Sequence, residues 1–121
     1  MATEAAAAEV RQFAEQFQRI RAQVGRVVIG HEELLDEILI AFFAGGHVLI
    51  EGVPGIGKTL IVRTLAQVLN LSFSRIQFTI DLMPGDITGT RMLLEDGGQR
   101  RLAFVPGPLF AHVLLADEIN R

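Results

Sequence analysis

Gly52, Val53, Pro54, Gly55, Ile56, Gly57, Lys58 and Thr59 set glycines, a lysine and a hydroxyl in the spacing of a phosphate-binding loop. Glycine lets successive backbone N–H groups converge on phosphate oxygens, and a helix that starts at the lysine adds partial positive charge. In that chemistry Lys58 reaches the β and γ phosphates of ATP, and the Thr59 hydroxyl ligates Mg²⁺. Lys58 is the single lysine of the chain, so its one compact ammonium stands where a point charge on phosphate is needed. The bland alternative is a glycine-rich turn that binds nothing.

Such a loop needs a second acid on the Mg²⁺ side, and hydrolysis needs a base that orients the attacking water. The apolar run Leu114-Leu115-Ala116 ends in Asp117 and Glu118, which supplies both: Asp117 toward the metal and Glu118 as general base. A solvated acidic strand end is the competing reading of that pair taken alone. Other polar residues carry less. His31, His47 and His112 stand singly at element starts without metal-ligand spacing and are read as capping or solvated. Asp81 and Asp86 bracket Pro84-Gly85 as turn formers, and Arg100-Arg101 reads as a soluble hairpin edge.

The elements that must position these groups follow from periodicity. Val10, Phe13, Phe17, Ile20 and Val24 recur every three or four residues, which predicts a helix over 3–24 that Gly25 ends. A stronger stripe over 31–44 predicts a second helix stopped by Gly45-Gly46. Residues 47–51 read as a strand covered on both faces, and residues 58–69 as a helix with Asn70 as its cap. Alternation over 75–80 predicts a strand with one less buried face. Residues 90–95 and 99–105 read as a β-hairpin around Asp96-Gly97-Gly98, with Met92 and Leu94 facing Leu102 and Phe104. A last apolar strand spans 112–116. This alternation of helices and strands implies a layered α/β fold with a parallel sheet.

The whole chain has 121 residues, room for one small domain or part of one. With 50% hydrophobic and 21% charged residues it carries too much apolar surface for a disordered chain. A net charge of −3 without long like-charge runs argues against nucleic acid or an anionic membrane surface as partner. No segment has the length and apolarity of a membrane span or the pattern of a signal peptide. The absence of cysteine excludes disulfides and thiolate sites and fits a reducing, cytoplasmic interior.

From residue 27 to residue 121 the chain resembles the MoxR branch of the AAA+ ATPases. The resemblance rests on Val28-Ile29-Gly30, on the loop from Glu51 to Leu60, and on Arg75-Ile76-Gln77-Phe78-Thr79. It continues through Asp86-Ile87-Thr88-Gly89-Thr90, Gly107-Pro108-Leu109-Phe110 and Leu115-Ala116-Asp117-Glu118-Ile119-Asn120-Arg121. It implies a P-loop NTPase three-layer fold for residues 27–121, and the helix read from periodicity makes residues 1–26 a separate N-terminal helix. The implied sheet runs fifth, first, fourth, third, second, with a β-hairpin inserted in the second helix. Nucleotide contacts extend to Leu60, and adenine contacts fall to Val28 and Ile29. The resemblance also implies a hexameric ring and ATP-driven remodelling of partner proteins, some containing von Willebrand factor A domains. Ile80 and Gly85 depart from the family's usual Pro and Ser, away from the phosphate loop.

The fourth and fifth strands, the sensor residues, the arginine finger and the lid of that family are expected beyond residue 121. The strand at 47–51 then lacks its neighbour, and the isolated chain is expected to be aggregation-prone with negligible turnover. A nucleotide-binding or partner-binding module without hydrolysis is the alternative function. A P-loop kinase or nucleic-acid motor fits the acidic balance and the adjacent Asp117-Glu118 pair less well.

Overall fold

The structure, a computed structural model, describes residues 2–52 and 57–121. Its elements are α1 (Ala2–Gly25), α2 (Glu32–Phe43), α3 (Lys58–Val68), β1 (Phe73–Gln77), α4 (Pro84–Thr88), β2 (Gly89–Asp96), β3 (Gln99–Pro106) and β4 (Val113–Asp117). They fall into two compact units, residues 1–70 and residues 71–121. Among the described residues, no helix is long and apolar enough to cross a membrane.

The first unit is helical because its apolar residues repeat with the helical period. Val24, Leu39 and Ile61, one from each helix, are the largest fully buried side chains. Around them pack Val28, Leu35, Ile38 and Leu65, with Phe17, Ile20 and Ile50 partly buried at the margin. Burying an aliphatic side chain of this size contributes about 1.5–3 kcal/mol. The α1 stripe is buried only toward its C-terminal end; Val10 is 67% exposed, and Phe13 is held edge-on to Phe43 at a centroid distance of 5.1 Å. The helix ends match the sequence. Asn70 takes the left-handed conformation (φ 55°) just past α3, which suits a cap residue.

Residues 47–51 do not form the expected strand. No described segment offers them a ladder, and an extended backbone without a neighbour has nowhere to place its N–H and C=O groups except water. Ile50 packs on the helical core, but Leu49 is 73% exposed, so the segment is not covered on both faces as expected.

In the second unit β1 and β4 pair in parallel, with Phe73 opposite Val113 and Gln77 opposite Asp117. The resemblance predicts this adjacency of the second and third strands. Ile76 is buried and its neighbours Arg75 and Gln77 are exposed, as the alternation requires. The strand runs over 73–77 rather than 75–80. It starts early because Ser72 and His112 clasp the strand starts: the Ser72 N–H donates to His112 Nδ1 (3.1 Å), and the His112 N–H donates to Ser72 Oγ (2.9 Å). It stops early because Glu118, at φ 55°, turns β4 out of the ladder after Asp117. Ile80 is consequently 97% exposed.

The hairpin is present, but its turn is two residues, Gly97 and Gly98, with Asp96 opposite Gln99. Both glycines have positive φ (61° and 81°), as a tight turn matched to strand twist needs. The register therefore sets Leu93 against Leu102 and Met92 against Ala103, so Met92 and Leu94 lie on the face opposite Leu102 and Phe104. Pro84-Gly85 opens the short helix α4 rather than a plain turn. The Met83 N–H donates to Asp86 Oδ2 (3.0 Å), and the Asp86 N–H donates back to the Met83 carbonyl (2.9 Å). Asp81 lies in the preceding turn, where a hydrogen bond from the Thr79 side chain and a backbone one hold its carboxyl below the usual range.

Gly89 and Gly107 close the base of the hairpin. A Cβ at Gly89 would lie 2.2 Å from the Val105 carbonyl oxygen on a backbone already at φ 97°, whereas one at Gly97 would meet nothing within 4 Å. Gly89→Ala should therefore destabilise the hairpin by clearly more than the roughly 1–2 kcal/mol of left-handed strain that Gly97→Ala incurs. Hydrogen exchange of the hairpin amides measures both costs, and equal effects would mean that the close approach at the base is not enforced.

Candidate functional site

Helix α3 begins at Lys58 with Gly57 as its N-cap, at φ 81° and ψ 22°, and among the described residues no side chain caps it. The first α-helical hydrogen bond runs from the Ile61 N–H to the Gly57 carbonyl at 3.1 Å. The N–H groups of the preceding helical residues thus have no acceptor within the helix, and the helix dipole adds positive charge at the same end. Lys58 and Thr59 are half-buried on this first turn, Leu60 is 47% exposed, and no acidic residue occupies the turn. Ile61, fully buried one residue on, anchors the turn to the core. Gly52 is exposed in irregular backbone. Val53, Pro54, Gly55 and Ile56, also assigned to nucleotide contact, lie outside the described residues.

Between α1 and α2 the chain makes a tight exit, with the Val28 N–H donating to the Val24 carbonyl at 2.9 Å and Gly30 at φ 90°. Val28 is buried in the helical core, whereas Ile29 is 84% exposed. Both border an open groove of about 450 Å³ that Gln18, Arg21, His31 and Leu35 also line. His31 supplies no side-chain cap to α2, and His47 is exposed.

In the second unit, β4 carries the two acids to its end. Asp117 accepts a charged hydrogen bond from Arg75 Nη2 at 2.6 Å, and its carbonyl takes the Phe78 N–H at 2.9 Å. The Asp117 side chain is 22% exposed and that of Arg75 40%. Glu118 takes a left-handed backbone, uncommon for a residue with a side chain, and faces Arg121 across an ion pair of 3.1 Å. Thr59 in the first unit offers a hydroxyl and Asp117 in the second a carboxylate, each a hard-oxygen donor of the kind that Mg²⁺ accepts. Among the described residues no cluster of three or more metal-ligating side chains occurs.

Arg75, Arg121 and the Ser72–His112 clasp were not identified as site residues from sequence. Arg75 becomes visible only once the parallel register is known, because 42 residues separate it from Asp117. Its place in the Arg75-Ile76-Gln77-Phe78-Thr79 block was the available signal.

The sequence pattern of the ATPase family associated with various cellular activities (AAA) matches residues 47–121. The chain is 48% identical over 99 residues to Chaperone MoxR1 of Mycobacterium tuberculosis, covering 82% of this chain and 26% of that protein. It is 35% identical over 108 residues to Protein MoxR of Methylorubrum extorquens, covering 85% of this chain and 31% of that one. A crystal structure of a candidate ATPase from Cytophaga hutchinsonii superposes with a TM-score of 0.80 at 39% identity, over 98% of this chain and 36% of the other. The chain thus spans about a quarter to a third of the length of these curated relatives. A helix that opens on Gly57-Lys58-Thr59, a parallel strand pair that ends on Asp117-Glu118, and these similarities lead to one assignment: the chain belongs to the AAA family of ATPases, in its MoxR branch.

Proposed function

We propose that this chain forms an ATP-binding part of a chaperone-like ATPase that remodels partner proteins as a hexameric ring in the cytoplasm. The observation that carries this reading is the start of α3, where N–H groups without an acceptor inside the helix, Lys58 and the Thr59 hydroxyl share one helical turn after a left-handed glycine. That turn suits the phosphates of ATP: the backbone donates hydrogen bonds and Lys58 supplies the charge. Thr59 and Asp117, assigned to the metal from the sequence pattern, would each offer an oxygen to Mg²⁺, which would shield phosphate charge. Glu118 accepts the proton of the attacking water, and the exposed Ile29 meets the adenine beside the groove that Val28 also lines. Partners with von Willebrand factor A domains remain part of the proposal on family resemblance, and the exposed Leu93, Leu102 and Phe104 of the hairpin face offer them an apolar surface.

A second reading, nucleotide binding without turnover, draws support from the pairing of Glu118 with Arg121, since the arginine takes one of the carboxylate oxygens that would meet the water. The two side chains are 40% and 63% exposed, however, and pairs this open to water contribute at most about 1 kcal/mol. Hydrolysis is therefore the better reading.

In the full-length protein, Lys58→Ala should weaken ATP binding by at least about tenfold, the scale of one charge-assisted contact to phosphate. Calorimetry that finds wild-type affinity removes Lys58 from the site. Glu118→Gln should retain ATP while steady-state phosphate release falls by roughly 10²–10⁴-fold. Near-normal turnover in that variant assigns the base elsewhere, and a wild-type protein that binds ATP without releasing phosphate favours the second reading.

A further inference from the structure

We propose that Ser72 and His112 form a pH-operated clasp at the start of the parallel strand pair, closed while the His112 imidazole is neutral and opened when it takes a proton. Ser72 places three of its groups on the start of β4. Its N–H donates to His112 Nδ1 at 3.1 Å, its Oγ accepts the His112 N–H at 2.9 Å, and its carbonyl accepts the Val113 N–H at 3.0 Å. The Ser72 hydroxyl also lies 3.0 Å from Nδ1. A backbone N–H can only donate, so Nδ1 must accept, and the ring carries its single proton on Nε2. The two residues stand 40 apart in sequence and meet because the ladder begins with Phe73 opposite Val113.

Protonation at Nδ1 turns the acceptor into a donor that faces the Ser72 N–H, and the bond is lost. Histidine is the side chain whose charge ordinarily changes between about pH 5 and 8, so the clasp is closed toward the upper end of that range and released toward the lower. No neighbouring charge competes for the ring: among the described residues no ion pair reaches His112. Of the described elements, β1 pairs with β4, and their charged side chains are Arg75 and Asp117. Strand alternation sets both on the face away from Ser72 and His112, whose own face carries the neutral Ser74, Ile76, Leu114 and Ala116. Residues 107–111 carry the chain from the base of the hairpin to His112, so the clasp fixes that junction to the parallel pair. Ser72 and His112 are both exposed, and water takes over the freed groups when the clasp opens. The effect is therefore local to the junction.

Hydrogen exchange of the full-length protein at about pH 8 and about pH 5, each corrected for the intrinsic rate, tests the clasp. At the lower pH the Ser72 amide should exchange about three- to tenfold faster, the scale of one hydrogen bond, while the amides of Leu39 and Ile61 in the helical core hold their protection. His112→Asn sets an amide oxygen where Nδ1 stands, an acceptor that does not titrate, so Ser72 exchange in that variant should not differ between the two pH values. In His112→Ala the Ser72 amide should exchange fast at both. Wild-type protection of Ser72 that is the same at both pH values overturns the proposal, as does a pH dependence that persists in His112→Asn. Ser72 protection that survives His112→Ala overturns it too. A matching loss at Leu39 and Ile61 also counts against it, because acid then loosens the whole chain rather than the clasp.

Discussion

Extended backbone must place its hydrogen-bonding groups on a neighbour, and that requirement decides which parts of this chain become strands. β1 and β4 satisfy each other through a parallel ladder from Phe73–Val113 to Gln77–Asp117, and β2 and β3 do so through an antiparallel one. Residues 47–51 have strand composition but no ladder among the described residues, and they remain irregular with Leu49 in water. Helices satisfy their own backbones, so the first unit builds its core from α1, α2 and α3 without any ladder.

The same accounting explains where polar chemistry concentrates, because element ends are where backbone groups go unpaired. The start of α3 offers N–H groups beside Lys58 and Thr59, with Gly57 supplying the left-handed turn that a Cβ would strain. The end of β4 offers Asp117 and Glu118, and Glu118 bears the left-handed backbone that breaks the ladder there. Backbone outliers of this kind cost on the order of 1–3 kcal/mol and persist where the surroundings enforce them. Here the parallel ladder ends at Asp117, whose carbonyl takes the Phe78 N–H, and Glu118 turns away from it.

Much of this was legible from local pattern. Helical stripes, Gly25 and Asn70 as stops and the acidic end of the last strand depend on residues close in sequence, and each stands where the local pattern set it. Nonlocal pairing was harder to read. Whether 47–51 becomes a strand depends on a partner, and the hairpin register changed by one residue because Asp96 joined the ladder instead of the turn. Arg75 was invisible for the same reason, since its pairing with Asp117 follows from a register that no local spacing encodes. Val28 and Ile29 show the limit differently: two adjacent apolar residues look alike in sequence, yet one is core and the other 84% exposed.

The central claim is that the first turn of α3 receives the phosphates of ATP. Hydrogen exchange of the full-length protein with and without saturating ATP and Mg²⁺ tests it at single amides. The Lys58, Thr59 and Leu60 N–H groups, which have no acceptor within the helix, should exchange at least about tenfold more slowly once phosphate oxygens accept from them. Unchanged exchange at all three while ATP saturates the protein would contradict the account.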